Sequence, residues 1–420
     1  MKRELMNIKI FVLFICVFTS SLLFAQESNQ SSVLKENDVV AICGDSITSN
    51  GRYPLFMEAY HFMCGPKTKV KFINFGRWGW RAVKFLPTID EAVLPSKPTV
   101  VTFCYGMNSA RGTKPMSESS QISWGKTVKE TIQKFKKSGV RKFILASPGV
   151  IDSYYFKRSS EIKAPTPEQV ATTQSNLKGL RDQAEKVSKD IKVIFADLHS
   201  PMIEVMVKAK AKYGKTFAFA GGMRDGIHPG EAGHLVMLFG ILKGLGYSGN
   251  IGSVNVDLST GKHSSSTGHV VLGVKGNIIE VESVRYPFCF FKSSKGKLDS
   301  HSTRSVSDLF SFNKDLNRLT LIVKGIKTRT AKLTWGNASK TFKREELEKG
   351  INLADAFMDD NPFKNTFKKI FNAMHERDRV LGFLKKKRFQ NEGMRKRLAR
   401  ELVKIKIVPV KHQLLIEEIK

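Results

Sequence analysis

Five short apolar runs between residues 38 and 247 alternate with segments that have helical character. Each run has the length and composition of a buried strand. Strands that alternate with helices predict a parallel sheet covered by helices on both faces. The predicted strands are Val39–Cys43, Val70–Ile73, Thr99–Tyr105, Lys142–Ala146 and Lys192–Ala196.

The clearest helix start in this region lies at Thr166. Thr166 is followed by Pro167 and, three positions after the cap, by Gln169, which is the pattern of a capping box with proline at the first helical position. We expect this helix to run to about Lys189. The other predicted helices are Tyr53–Phe62, Trp124–Lys137, Ser200–Tyr213 and Glu231–Leu245.

Polar residues stand where three of the predicted strands end. Ser46 follows the first run, Asn74 the second and Asn108 the third. In open parallel sheets, sites form at the carboxyl ends of the strands, so we expect the three residues to share one edge. A serine after a strand has two uses: it caps the next helix, which is the commoner role, or it is a nucleophile.

A second polar pair, Asp225 and His228, lies three residues apart in a turn just before a predicted helix. A carboxylate so placed can fix the tautomer of the imidazole and stabilise the imidazolium that forms when the histidine takes a proton from a serine. Alone, such a pair is more often a surface acid–imidazole contact without function. Combined with Ser46 and Asn108 it predicts nucleophilic hydrolysis.

Taken together, these motifs resemble the SGNH (GDSL-type) esterase superfamily. Ser109 stands where many members carry aspartate, which puts only the packing of that loop in doubt. Within this superfamily, the chain most resembles a subset of secreted bacterial enzymes. That resemblance is carried by the motifs Gly-Asp-Ser-Ile-Thr and Gly-Arg-Tyr and by a β-rich extension. The four matching blocks, in order, are Gly44–Thr48, Asn74–Gly79, Gly106–Asn108 and Asp225–Pro229.

The resemblance implies a flavodoxin-like, three-layer α/β/α sheet and a carboxylic ester hydrolase. In that family pattern Ser46 is the nucleophile, His228 the general base and Asp225 its orienting acid. The oxyanion donors are the backbone N–H of Ser46, that of Gly79 (with Gly76 as the alternative) and the Asn108 amide. No metal or other cofactor is expected, and the nine His show no metal-like clustering.

Aromatic residues flank these motifs. Trp78, Trp80 and Tyr53 are candidates to stack on sugar rings of a substrate, and the alternative is that they are core residues under the loops. Asp45 precedes the predicted nucleophile, and we expect it to bind backbone groups of neighbouring loops as a structural residue.

The amino terminus predicts export. Lys2, Arg3 and Lys9 precede a compact apolar core, and we expect cleavage of a signal peptide, residues 1–25, after Ala25. Residues 26–37 are expected to be a flexible leader. No further apolar stretch predicts a transmembrane segment in the mature chain. Export permits disulfides, but free thiols are favoured for the remaining cysteines, Cys43, Cys64, Cys104 and Cys289.

After the hydrolase domain predicted for residues 38–247, the composition changes. Residues 250–323 are rich in Ser, Gly, Val and Thr and contain alternating runs, which predicts antiparallel β-structure. We expect residues 248–420 to form a second, β-rich domain with a helical segment at 352–400. We expect a hairpin over Leu319–Trp335 about Gly325, helices at Asn352–Phe357 and Asn365–Leu398, and a last strand at Val403–Val410.

The chain carries a formal net charge of +31, spread over both halves. Such a field favours polyanionic partners, and the basic segment Asn365–Leu398 is the densest part. Docking on an acidic or sulfated polysaccharide or an anionic cell surface is the functional interpretation. A plain solvated helix face is the alternative, and export makes nucleic acid an unlikely partner. The oligomeric state is left open.

The predicted function is an exported serine esterase that cleaves acyl, above all acetyl, esters on carbohydrate through an acyl-Ser46 intermediate. Two rivals stay open. The same site could serve a lipase or lysophospholipase, which a preference for long acyl chains would indicate. A glycan-binding protein that kept the fold without catalysis is the other, and the intact Ser46, Asn108, Asp225 and His228 argue against it.

Overall fold

The computed structural model describes residues 34–112, 114–156, 165–220, 225–384 and 390–419. The predicted signal peptide, most of the predicted leader and the cationic run at 385–388 lie outside the described residues. Within the described residues, no helix is long and apolar enough to cross a membrane.

A five-stranded parallel sheet forms the amino-terminal half, as predicted. Its strand order is β2-β1-β3-β4-β5, which is the order of flavodoxin-like folds. The central strands β1 and β3 are buried almost throughout, which explains their mostly apolar sequence. The strands are β1 (Val39–Gly44), β2 (Lys71–Asn74), β3 (Val100–Cys104), β4 (Lys142–Ala146) and β5 (Ile194–Ala196).

Ten helices accompany this sheet within the described residues. The predicted capping box is confirmed, since Thr166 and Gln169 exchange side-chain and backbone hydrogen bonds at the start of α8. The helices are α1 (Ser46–Ser49), α2 (Arg52–Met63), α3 (Ala82–Phe85), α4 (Ile89–Ala92), α5 (Met107–Ala110), α6 (Glu118–Lys137), α7 (Ser153–Phe156), α8 (Pro167–Asp190), α9 (His199–Tyr213) and α10 (Glu231–Leu245).

Helices cover both faces of the sheet. Phe135 of α6 packs on Phe143 of β4, with ring centroids 5.9 Å apart. Gly244 of α10 lies against Ile144, where an added Cβ would stand 3.2 Å from the Ile144 side chain. Because neighbouring residues of a strand point to opposite faces, α6 and α10 lie on opposite sides. The predicted three-layer arrangement is therefore confirmed.

Residues 250–419, called the C-terminal part below, form two further sheets. One has the order β13-β10-β6-β7 and the other β12-β11-β14-β9-β8. The strands are β6 (Asn250–Asp257), β7 (His263–Ser265), β8 (His269–Lys275), β9 (Ile278–Ser283), β10 (Arg318–Lys324), β11 (Thr330–Trp335), β12 (Ala338–Lys343), β13 (Ile351–Asn352) and β14 (Val410–Ile419). The helices are α11 (Phe312–Leu316), α12 (Arg344–Lys349), α13 (Leu353–Ala356), α14 (Lys364–Leu384) and α15 (Glu392–Lys404).

The predicted hairpin over Leu319–Trp335 is wrong. Strand β10 pairs in parallel with β6, whereas β11 pairs with β12 and β14 in the other sheet. Gly325, at φ +79°, turns the chain from one sheet to the next. Alternation predicts a strand with one buried face, but it does not identify the partner of that strand.

Two other boundaries differ from the predictions. The basic segment forms two helices, α14 and α15, and not one over Asn365–Leu398. Helix α15 extends to Lys404, so the last strand begins at Val410 and not at Val403. The predicted return of the chain into a sheet is nevertheless correct, because β14 pairs with β9 and β11.

Helix α2 joins the two halves of the molecule. Glu58 of α2 accepts two hydrogen bonds of 2.7 Å from the Arg377 guanidinium of α14. Phe56 packs on Phe371 at 5.6 Å between ring centroids, and the Tyr60 hydroxyl donates to the carbonyl of Leu316 at 2.6 Å. The C-terminal part therefore contacts α2, the helix that comes after α1 and Ser46 in the chain.

Candidate active site

Ser46 is the first residue of α1, immediately beyond the end of β1. The cap of α1 is Asp45, whose carboxylate accepts the Ile47 N–H at 3.0 Å. The interpretation of Ser46 as a helix cap is therefore wrong, and its hydroxyl is free for another partner. Asp45 has the predicted structural role. Burial raises the pKa of its carboxyl to about 6.

Close packing explains the glycine before this turn. A Cβ on Gly44 would lie 2.0 Å from the Thr48 hydroxyl and 2.7 Å from the carbonyl oxygen of Cys104. Only glycine lets β1 end this close to α1 and β3. The turn thus fixes the position of Ser46, which is 7% exposed.

His228 lies beside Ser46. Its Nε2 atom is 2.8 Å from Ser46 Oγ, and its Nδ1 atom is 2.5 Å from Asp225 Oδ2. The other carboxylate oxygen of Asp225 accepts the backbone N–H groups of Ile227 and His228 at 2.8 and 3.0 Å. Asp225 is thereby held in one orientation toward the imidazole.

The charge on Asp225 selects the tautomer of His228. Burial raises the pKa of the Asp225 carboxyl, but hydrogen bonds from the His228 side chain and from the two backbone N–H groups outweigh it and lower the pKa below its usual value. The ionised carboxylate can only accept, so Nδ1 of His228 donates and Nε2 is left to accept the Ser46 hydroxyl. This arrangement can transfer a proton from Ser46 to His228.

Asn108 and the loop after β2 lie at the same edge. The Asn108 amide donates to the carbonyl of Trp80 at 3.0 Å, which uses one of its two N–H groups. The N–H of Gly76 donates to Asn74 Oδ1 at 2.8 Å, so it is already engaged. Gly79 has no hydrogen-bond partner for its N–H among the described residues. The geometry favours Gly79 over Gly76 as an oxyanion donor.

The three aromatic candidates have different environments. Trp78 is 54% exposed, and its ring lies 5.5 Å from that of His228. Trp80 is half-buried, with the Lys84 ammonium 5.0 Å from its ring centroid. Tyr53 is fully buried, with its hydroxyl 2.7 Å from that of Thr48. The prediction that Tyr53 stacks on substrate is corrected, since this ring is a core residue.

One group of polar residues, which includes Glu231 close to His228 in the chain, was not predicted from the sequence. Glu231, three residues after His228, lies 3.3 Å from the Arg52 guanidinium and 2.7 Å from His301 Nδ1. Arg52 also lies 2.9 Å from His375 Nε2. Two of these residues belong to the C-terminal part, and only tertiary contacts bring them to Arg52 and Glu231. The name polar rim is used below for Arg52, Glu231, His301 and His375.

A second missed residue is His234 of α10. It is fully buried, and neither ring nitrogen has a hydrogen-bond partner among the described residues. Its ring stacks on Tyr53 at 6.0 Å. Burial, with the nearby positive charge of Arg52, lowers the pKa of His234 to about 3. The residue is therefore neutral at physiological pH.

The cysteines and possible metal ligands take no part in this arrangement. Cys43, Cys64, Cys104 and Cys289 are buried free thiols. In the described ranges, no group of three or more His, Cys, Asp and Glu side chains is placed to hold a metal ion.

Comparison with known proteins finds one matching family model and several solved structures with a similar fold. A family model described as GDSL-like lipase/acylhydrolase matches residues 42–236. No curated protein matches the chain. BT4096, a gut microbial diltiazem-metabolizing enzyme, has a similar structure over 92% of this chain and 98% of its own, with 19% identity and a TM-score of 0.68. Axe2, an acetylxylan esterase from Geobacillus stearothermophilus, is aligned over 51% and 96%, with 18% identity and a TM-score of 0.39.

Proposed function

We propose that this chain, whose residues 42–236 match the model of the GDSL-like lipase/acylhydrolase family, is a carboxylic ester hydrolase that removes acetyl groups from carbohydrate. The observation that carries the proposal is the continuous hydrogen-bonded series Asp225–His228–Ser46, with contacts of 2.5 and 2.8 Å.

Acylation begins at Ser46. His228 accepts the hydroxyl proton at Nε2 while Oγ attacks the ester carbonyl. The negative charge of Asp225 stabilises the imidazolium formed in this step. The tetrahedral intermediate then collapses, His228 returns the proton to the leaving alcohol, and the acetyl group stays on Ser46.

The negative charge that develops on the carbonyl oxygen of the ester must be stabilised by hydrogen-bond donors. The backbone N–H of Ser46, the backbone N–H of Gly79 and the Asn108 amide are proposed for this role. Each donor of this kind lowers the barrier by about 3–4 kcal/mol. In the second half of the cycle, His228 deprotonates a water that attacks the acetyl-Ser46 ester, and the same three donors stabilise the second intermediate. When this intermediate collapses, the bond between Ser46 Oγ and the carbonyl carbon breaks, His228 returns the proton to Ser46 Oγ, and acetate leaves.

The surroundings of His228 support a carbohydrate leaving group. Trp78 presents an exposed ring beside the imidazole, and flat aromatic surfaces suit the apolar faces of sugars. Glu231 of the polar rim lies three residues after His228 in the chain and holds Arg52 and His301. Charged and imidazole groups can bind hydroxyls, whereas they are poor neighbours for a long acyl chain.

Export is part of the proposal. The basic n-region, apolar core and small residues before Gln26 support secretion. An exported enzyme meets polysaccharide, and the net charge of +31 favours acidic or sulfated chains.

Acetate release from a panel of acetylated polysaccharides tests the function. We expect release from at least one neutral or acidic glycan, with no release by Ser46→Ala. Hydrolysis restricted to long-chain synthetic esters and lysophospholipids would replace the proposal with the lipase alternative. Activity on no ester at all, with wild type equal to Ser46→Ala, would favour a non-catalytic glycan-binding protein.

A further inference from the structure

A cleft of about 780 Å³ lies in the C-terminal part between the segment 289–296 and helix α14. This volume is in the range of small-molecule and oligosaccharide sites. Aromatic side chains line it, together with Cys289 and Met358. The aromatic residues are Phe290, Phe291, Phe367 and Phe371.

Positive charge surrounds this aromatic lining. Lys292 and Lys368 are exposed, and neither has a hydrogen-bond or ion-pair partner in the part of the chain that the structure describes. The carboxylate of the lining residue Asp359 is already engaged by the Arg304 guanidinium through hydrogen bonds of 2.7 and 2.9 Å. These bonds lower the pKa of the Asp359 carboxyl and the charge of Lys292 helps to lower it, but within the described residues neither lysine makes a direct ion pair. The cleft therefore offers two ammonium groups to a ligand.

One wall of the cleft, formed by α14, leads toward the polar rim. Lys364, Lys368, Phe371 and His375 follow each other at spacings of three or four residues, so they share one face of α14. His375 is about 6 Å along the helix axis from Phe371, and its ring contacts Arg52 of the polar rim.

The opposite wall of the cleft, formed by the segment after Cys289, also leads to the polar rim. The segment that carries Phe291 and Lys292 continues to Ser300 and His301. The carbonyl of Ser300 accepts the N–H of Ala232 at 3.0 Å, and His301 contacts Glu231. Both walls thus end at the polar rim, within a few residues of His228 in the chain.

We propose that this cleft binds anionic sugar units, such as uronates, of the same glycan whose ester is cleaved at Ser46. The inference rests on the proposed function, and it assigns the C-terminal part a role in substrate selection. Of the four aromatic residues, Phe290 and Phe367 are buried, and only Phe291 and Phe371 are partly exposed. The exposed parts of these two rings can pack on a sugar ring, and the lysines can form charge-assisted hydrogen bonds with carboxylates. A concave site closed on two sides suits a polymer chain better than a flat anionic bilayer.

Direct binding tests the cleft without catalysis. Unacetylated oligogalacturonate is titrated into Ser46→Ala protein by calorimetry. We expect binding that weakens with added salt. Lys292→Glu combined with Lys368→Glu should raise the Kd at least about tenfold, because two attractive charges become repulsive.

A matched control separates the cleft from the overall charge. Lys129→Glu with Lys186→Glu changes the net charge equally on exposed lysines of α6 and α8. This pair should leave the Kd within about twofold. Near-ultraviolet circular dichroism checks that both double variants are folded.

Three results would overturn the inference. The first is that oligogalacturonate does not bind. The second is that the two double variants bind oligogalacturonate with equally increased Kd, and the third is that phosphatidylglycerol vesicles bind whereas oligogalacturonate does not. Failure of the proposed function is a separate result, since it appears as absence of acetate release from every glycan whether or not oligogalacturonate binds.

Discussion

Nε2 of His228 lies 2.8 Å from Oγ of Ser46, although the two residues are 182 positions apart in the chain. The contact depends on two turns that the sequence encodes separately. Asp45 caps α1 and leaves the Ser46 hydroxyl free, while Asp225 binds two backbone N–H groups of its own turn and the imidazole.

Asp225→Asn tests the orientation of the imidazole. A neutral amide can donate to Nδ1 and so favour the tautomer whose Nε2 carries a proton, which cannot accept from Ser46. We expect kcat to fall by about 10⁴-fold with little change in stability. Steady-state hydrolysis of 4-nitrophenyl acetate measures it. A loss of less than tenfold would show that Asp225 is not coupled to the reaction.

Asn108→Ala removes one proposed oxyanion donor. We expect kcat to fall by about 10²–10³-fold and KM to change little, because the oxyanion forms only in the transition state. Ser109→Ala, at the adjacent position, is the control and should retain activity. An effect on KM alone would assign Asn108 to ground-state binding.

His234→Phe tests the cost of burying a neutral imidazole. The folded pKa is about 3, below the value near 6.5 in the unfolded chain. The unfolded state therefore binds the proton first, and the stability due to this group is complete above pH 6.5 and lost as the pH falls toward 3.

For wild type, this residue alone should lower the free energy of unfolding by about 2 kcal/mol between pH 7.5 and pH 5. Burial acts in the same direction at His269 and His412, whose pKa values are lowered to about 4 and 3. His234→Phe should make the pH dependence less steep. Urea unfolding at both pH values measures it, and parallel curves for the two proteins would contradict the assignment.

Arg377→Ala tests the contact between α14 and α2. The guanidinium is 15% exposed and makes two hydrogen bonds with Glu58, so we expect a loss of about 2–3 kcal/mol in the free energy of unfolding. Arg379→Ala is the control. Arg379 is 52% exposed and bonds Glu376 of its own helix, which predicts a loss of about 0.5 kcal/mol or less. Equal losses in urea unfolding would show that the α2 contact is unimportant.

The sequence predicts the parallel sheet well for a physical reason. Its central strands are mostly apolar because they are covered on both faces, and a capping box such as that of Thr166 and Gln169 is a local signal. The sequence also allows the candidate catalytic residues to be chosen, because motifs at strand ends are local signals. These residues are Ser46, Asn108, Asp225 and His228. The distances between their side chains could not be obtained from their spacing in the sequence.

The remaining features depend on tertiary contacts. Whether Tyr53 faces a site or the core depends on how α2 packs against α1 and α10, where Tyr53 contacts Thr48 and His234. Its sequence position near Ser46 carries no such information. The partner of β10 is β6 and not β11, because pairing is decided by how two sheets pack. His301 and His375 meet Glu231 and Arg52 only after the C-terminal part docks.

The central claim, that Ser46 is the nucleophile, is tested most directly by covalent labelling. Wild-type protein is treated with diethyl 4-nitrophenyl phosphate, which transfers a phosphoryl group to an activated serine, and the peptides are mapped by mass spectrometry. The account predicts one adduct, on Ser46, formed in parallel with the loss of esterase activity, and little labelling in His228→Ala. Full activity without an adduct on Ser46, or inactivation with the adduct on another residue, would contradict it.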